Sequence, residues 1–131
     1  MNSKEFEKYF IETEILIDHL VHKRGVNNSF LFNIMQKGIC FTSVLNASEI
    51  YFNAKSDMEK EKADHLLYAV KVLGIHSRYS LELKNLNNSF ENFRDAIIYL
   101  LARQNNLTII TQHLDRYIKL DCKVKHPSEI I

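Results

Sequence analysis

The chain has 131 residues, 46% of them hydrophobic and 25% charged, with 17 Lys plus Arg against 16 Asp plus Glu. One domain over residues 1–131 is expected, because a chain of this size can bury roughly two thirds of its unfolded surface without a disulfide or a structural metal. A net charge of +1, three glycines and one proline exclude a strongly basic nucleic-acid wrapper, an acidic tail, a disordered chain and a turn-rich β sandwich, while leaving room for a local basic groove.

Residues 8–12 (Lys-Tyr-Phe-Ile-Glu) form a short β-prone run closed by a carboxylate. Ile15, Leu16, Leu20 and Val21 then recur at helical spacing, predicting a helix over 14–24 that Gly25 stops. Phe30, Leu31, Ile34 and Met35 predict a second helix over 28–37, stopped by Gly38. Residues 39–43 (Ile-Cys-Phe-Thr-Ser) read as a buried strand. A helix over 44–55 follows, with Val44, Ala47, Ser48, Tyr51 and Ala54 along one side and Glu49 at the edge of that stripe. Another spans 57–70, with Asp57 as its expected N-cap and Glu59 and Glu61 favouring the helix dipole.

Val72 to His76 is a third strand, and the polar stretch 77–91 carries a short helix and a loop. Asn92 caps a helix over 92–105, and Leu107–Thr111 is a nearly continuous apolar strand. Either Tyr117–Leu120 or Cys122–Val124 supplies a last edge strand. Short apolar strands separated by helices imply a three-layer α/β/α sandwich around a central, mostly parallel sheet. In such folds the ligand site lies beyond the carboxyl ends of the strands.

Those ends carry a recurrent chemistry. Glu12 closes the first strand, followed by Thr13 and Glu14. Ser43 closes the second, with Glu49 early in the next helix. Asp95 lies in the first turn of its helix, and Thr111, Gln112 and His113 close the strand 107–111. Each acid has an ordinary explanation by itself, as a solvated helix residue, a dipole partner or an exposed strand end. Together, carboxylates drawn into one place repel and raise one another's pKa. A hard dication such as Mg²⁺ or Mn²⁺ relieves that repulsion, polarises a phosphate oxygen and activates a water for in-line attack.

The two cysteines, Cys40 and Cys122, have no paired spacing, and Cys40 reads as a small buried hydrophobe. The N-terminus carries charges of both signs and no apolar core of a signal peptide. No stretch reaches the ~20 apolar residues of a membrane span. A cytoplasmic protein with no membrane contact is expected.

At this point the residues resemble a known family. Tyr-Phe-Ile-Glu-Thr-Glu-Ile-Leu-Ile-Asp-His-Leu (9–20) is similar to the opening strand and turn of PIN domains, the fold of VapC-type ribonuclease toxins. Thr-Ser-Val-Leu-Asn-Ala-Ser-Glu-Ile-Tyr (42–51) resembles the family's strand-to-helix segment with its glutamate. Residues 95–111 resemble the stretch in which an aspartate opens a helix and a short turn feeds a strand ending in threonine. His-Leu-Asp-Arg-Tyr (113–117) fits the closing segment.

The resemblance covers roughly residues 8–120 and implies a PIN-like fold, often dimeric. It also implies metal-dependent endoribonuclease activity and, for VapC-like members, an inhibiting antitoxin partner. By the same resemblance Glu12, Glu49 and Asp95 are the catalytic and metal-binding acids. His113 is a further ligand that suits Mn²⁺ better than Mg²⁺, and Glu14 and Thr111 adjust the site. Glu12 stands where the family has aspartate, Glu14 where it has a short polar residue, and His113 where it has aspartate or asparagine.

Other residues have two readings each. Arg94, Arg103, Arg116 and Lys119 lie near the acids in sequence; Arg94 and Arg116 are the candidates for contacting RNA phosphates, against ordinary solvated charges pairing with Asp95 or Asp115. Tyr51, Tyr99 and Tyr117 either stack on RNA bases or sit in the core. His19 and His22 share a helix face but lack a third metal ligand. Phe30, Phe32, Phe52, Leu67 and Tyr68 exceed what one small core absorbs, which suggests a second copy or an antitoxin helix.

Three functions compete: a metal-dependent PIN ribonuclease; a PIN-fold module without catalysis that binds RNA or a protein; and an unrelated receiver-like domain. The last requires a lone phosphoacceptor aspartate ending a mid-chain strand, which the sequence lacks.

Overall fold

The computed structural model describes residues 7–22, 28–117 and 121–130. The elements run β1 (Glu7–Ile11), α1 (Thr13–Val21), α2 (Phe30–Met35), β2 (Gly38–Ser43), α3 (Val44–Asn53), α4 (Asp57–Ala69), β3 (Lys71–Leu73), α5 (Tyr79–Leu83), α6 (Phe93–Gln104), β4 (Thr108–Ile110) and β5 (Val124–Lys125). The five strands form one sheet in the order β3-β2-β1-β4-β5, and every neighbouring pair is parallel.

Parallel strands need crossovers, and right-handed crossovers decide which face each helix covers. The chain moves outward from β1 to β2 to β3 through α1–α4. It then returns past β1 to β4 through α5 and α6. Reversing direction puts the second set of helices on the opposite face.

The core divides accordingly. Tyr9, Ile11, Cys40 and Ile110 pack with Ile15, Leu16, Leu31, Ile34, Ile50, Leu66 and Leu67. Phe10 and Ile109, one residue out of step along the same strands, pack with Tyr79, Ile98, Leu101 and Tyr117. Alternate strand residues therefore feed the two layers, as the three-layer architecture requires. Both thiols are free; Cys40 lies in the first core and Cys122 against the second, and burial pushes the Cys40 thiol up to about 12.

Several boundaries differ from the sequence reading. Glu12 lies just past β1 and caps α1, while its N–H still reaches the Ile110 carbonyl at 3.2 Å. The first helix ends at Val21, and the expected stop at Gly25 falls outside the described residues. Ser56, not Asp57, caps α4, because a Ser56–Glu59 capping box satisfies two backbone donors at once. The third strand is Lys71–Leu73, shorter and earlier than 72–76, since it pairs only with Phe41–Ser43.

The last strand is Val124–Lys125, against Ile109 and Ile110. Tyr117 instead closes a 3₁₀ turn over Leu114–Arg116, and 118–120 fall outside the described residues. At the end of α6, Asn106 takes a left-handed φ of 55°. The Leu107 N–H returns to the Ala102 carbonyl at 2.8 Å, a Schellman closure that asparagine tolerates.

The stripe expected along α3 is also corrected. Val44, Ser48 and Tyr51 face outward, and Asn46, Ala47 and Ile50 are the buried residues. Ser43 caps this helix, and the inward position of Asn46 serves the site described below. Of the apolar residues expected in excess, Leu67 is buried, whereas Phe52 is 84% and Tyr68 94% exposed.

Gly38 pairs with Glu7 at the start of the β1–β2 ladder. A methyl there would collide with the Glu7 carbonyl oxygen and stand 2.8 Å from Tyr9 Cε2. Gly38→Ala is expected to cost about 1–3 kcal/mol through forced displacement of β1, read as a lower midpoint in urea denaturation. An unchanged midpoint would contradict this register.

Candidate functional site

The chain order places a topological switch point between β1 and β4, where successive crossovers leave in opposite directions. Glu12 follows β1 and Thr111 follows β4 at this point. The residue after β1 is fully buried, and its carboxylate is the hub of the site. Its oxygens accept from Arg94 Nη2 at 3.0 Å, Asn46 Nδ2 at 3.0 Å and the Tyr117 hydroxyl at 2.7 Å. Arg116 Nη1 stands 3.9 Å away on the solvent side.

Glu49 comes in from α3 and Asp95 from the first turn of α6. The Asn92 side chain caps that helix and accepts from the Asp95 N–H at 2.9 Å. The Thr13 hydroxyl donates to Glu49 at 2.6 Å and accepts from Asn46 Nδ2 at 2.8 Å. Thus β1, α1, α3, α6 and the turn after β4 each contribute a group.

Arg94 occupies the middle of this ring. Its Nε and Nη2 meet the two Glu49 oxygens at 3.0 and 2.9 Å. Nη2 also meets Glu12, and Nη1 meets Asp95 Oδ1 at 3.2 Å. One planar guanidinium therefore binds all three acids. The sequence offers Arg94 either as a phosphate contact at the rim or as a charge pairing with Asp95 or Asp115; in the fold its side chain, 24% exposed, turns inward and pairs with Asp95 among the three acids.

The electrostatics follow. Burial works to raise the Glu49 pKa, but hydrogen bonds from Arg94 and Thr13 and the charges of Arg94 and Arg116 outweigh it and hold the carboxyl below its ordinary range. Burial likewise works to lower the Arg94 pKa, and its bonds to Glu49 and Glu12 reverse that. The Tyr117 hydroxyl is raised, first by burial and then by the Glu12 charge, so it stays a donor.

Glu14, Thr111 and His113 form a neighbouring group. Thr111 Oγ1 donates to Glu14, which also accepts the Gln112 N–H at 2.9 Å. The His113 N–H donates to Thr111 Oγ1 at 3.0 Å. Its exposed ring makes no hydrogen bond or ion pair with the acids among the described residues. Glu14 thus braces the end of β4.

Tyr99 and Tyr117 are buried, and Tyr51 bonds Asp64 at 2.6 Å. His19 bonds Ser29 at 2.6 Å. The sequence reading missed Asn46 and the hydrogen-bonding role of Tyr117. The local signal for Asn46 is its place three residues after Ser43, the spacing of a capping box.

Three carboxylates around one cationic group are a donor set that suits a hard divalent ion. Among the described residues no group of three or more acids, histidines or cysteines is arranged to hold a metal as it stands; the acids are spread around the guanidinium. The chemistry of the set fits a dication, and the room for it is where Arg94 lies.

The family model described as PIN domain matches residues 9–119. No curated protein matches the chain in sequence. Among solved structures, a toxin-antitoxin complex from Klebsiella pneumoniae superposes with a TM-score of 0.74 at 19% identity, covering 91% of this chain and 97% of that one. VapBC2 from Rickettsia felis, bound to a promoter DNA fragment, gives 0.73 at 14%, covering 91% and 98%. FitAcB from Neisseria gonorrhoeae gives 0.70 at 15%, covering 92% and 98%.

Two outcomes follow from this geometry. Tyr117→Phe should cost about 1–3 kcal/mol, because a buried carboxylate oxygen loses a donor that water cannot replace. Urea unfolding measures it, and a neutral result would contradict the bond to Glu12. Because the folded Glu49 pKa is depressed, its stabilisation is present above the unfolded value and is lost as pH falls through the folded one. Thermal midpoints taken from about pH 6 down to pH 3 should fall less steeply for Glu49→Gln than for the wild type. The difference is small because the side chain is 40% exposed.

Proposed function

The chain belongs to the PIN domain family, and from that premise we propose that it is a VapC-like endoribonuclease that hydrolyses RNA phosphodiester bonds with a bound Mg²⁺ or Mn²⁺. The observation that carries this reading is the convergence of Glu12, Glu49 and Asp95, distant in sequence, on one guanidinium-sized space beyond the carboxyl ends of β1 and β4. PIN nucleases generally use divalent metal ions.

The three acids would hold the ion, and its chemistry is to stabilise the charge that builds on the phosphate and to lower the pKa of a bound water. The protein's own residues do the positioning. Asn46 and Tyr117 fix the two Glu12 oxygens in a dry pocket, so that carboxylate needs no reorganisation during the reaction. Thr13 fixes Glu49, the most exposed of the acids, which faces incoming water and can orient it and take its proton. Arg116, exposed at the rim, meets a substrate phosphate, and Arg94 joins it there once turned out of the acids. Glu14 and Thr111 brace the turn that carries Tyr117, and His113 beside them would be a further ligand of the ion.

One structural neighbour is a toxin-antitoxin complex from Klebsiella pneumoniae, which supports an antitoxin as protein partner. The groove of about 720 Å³ between α1, α2 and α4, with Leu20, Phe32 and Met35 among its walls, suits an amphipathic segment of such a partner. The exposed Phe52 and Tyr68 support a homodimer. No helix among the described residues is long and apolar enough to cross a membrane, and a cytoplasmic site of action fits an RNA substrate.

The ion pairs of Arg94 favour one other reading, a PIN-fold module without catalysis that binds RNA or a protein, because a neutralised acid cluster has less need of an ion. RNA cleavage separates the two. With Mn²⁺ present, Glu49→Gln and Asp95→Asn should each lower cleavage by at least about 100-fold while circular dichroism stays native. Undiminished cleavage by both variants would remove the hydrolase reading, and absence of cleavage by the wild type would favour the binding module.

A further inference from the structure

We propose that Arg94 is the built-in counter-cation of the acidic centre, and that a divalent ion enters only by displacing its guanidinium. The affinity of the site for Mn²⁺ is then set by Arg94. This rests on the reading of Glu12, Glu49 and Asp95 as metal ligands.

The argument begins with occupancy. Nη2 lies 3.0 Å from Glu12 Oε1, 2.9 Å from Glu49 Oε1 and 3.2 Å from Thr13 Oγ1. Nη1 lies 3.3 Å from Glu12 Oε2 and 3.2 Å from Asp95 Oδ1. Nε lies 3.0 Å from Glu49 Oε2. All three guanidinium nitrogens are used, and each acid gives at least one oxygen to them. A small cation needs those same oxygens at ~2.0–2.6 Å, and two positive charges cannot share them without strong repulsion.

The guanidinium is also tethered. Arg94 is the second residue of α6, so its side chain is always within reach of the acids, which gives it a high effective concentration against a free ion. Its own deprotonation cannot release it, because arginine keeps its charge in proteins. It can be released sterically, since the side chain is 24% exposed and its neighbour Phe93, the first residue of α6, is 70% exposed. The site is therefore a cation seat with two competing occupants, one internal and one from solution.

The test is calorimetric titration of the full chain with MnCl₂, alongside thermal melts with and without the metal. Without metal, Arg94→Ala should melt below the wild type, because three acids lose their counter-charge. With Mn²⁺ it should bind on the order of tenfold or more tightly than the wild type, and its melting point should rise further. Arg94→Lys, a point charge without the fork, should fall between them.

The double variant Arg94→Ala/Asp95→Asn should lose the gain. Equal Mn²⁺ affinity in wild type and Arg94→Ala, or a gain that survives Asp95→Asn, would overturn the proposal. If Arg94→Ala folds only when Mn²⁺ is present, the competition is shown at its limit. If it folds in neither buffer, Arg94→Gln and Arg94→Lys decide by the same comparison. A gain in Mn²⁺ affinity with no RNA cleavage by any variant would keep the counter-cation and remove the hydrolase. Cleavage by the wild type with Mn²⁺ affinity indifferent to residue 94 would do the reverse.

Discussion

A glutamate carboxylate with no exposure to water is the constraint around which the molecule is arranged. Moving such a charge from water into a protein interior costs several kcal/mol even after relaxation, unless partners replace the lost hydration. Glu12 obtains them from Arg94 on α6, Asn46 on α3 and Tyr117 after β4. Each partner lies on an element that also closes a core, so the polar centre and the apolar layers hold one another in place. The outward turn of Val44 and Tyr51 on α3 has its reason here: the helix rotates so that Asn46 faces the carboxylate.

The position of that carboxylate is a consequence of topology. In the order β3-β2-β1-β4-β5 the crossovers diverge on either side of the β1–β4 pair and leave a crevice at the carboxyl ends of these strands. Backbone ends there, and side chains from several segments can meet without crossing the sheet. Asp95 gains further from the N-terminal end of α6, where the helix dipole favours an anion. Two arginines then oppose three acids, one within the ring and one at its edge.

The likeness in fold to solved structures at 14–19% identity over nine tenths of the chain has the same physical basis. Apolar alternation on short strands and helix-period patterning survive wide substitution, because many side chains of similar volume fill a core. A site does not have that latitude. One added methylene at residue 12, or an arginine beside residue 95, changes where charge sits while leaving every strand in place, so family and mechanism are separable questions.

Much of this was readable along the chain. The runs 8–12, 39–43 and 107–111 mark the central strands by their apolar content. Asn92 announced α6 because an N-cap is a local interaction over three residues. The acids at 12 and 95 stand out because strand ends and first helical turns are also local features, and Glu49 because it comes early in the helix after the second strand. What lay beyond the sequence was the pairing of these features across space.

Arg94 reads equally as a phosphate contact at the rim or as a solvated charge pairing with Asp95 or Asp115, and only the approach of β1, α3 and α6 from 82 and 45 residues away turns its fork inward. Asn46 and Tyr117 carry no linear signal for bonding Glu12, and the face of α3 depends on that bond. Hydrophobic period is written into neighbouring residues and so determined the layers; charge compensation depends on distances between remote side chains, and the folded chain alone decided it.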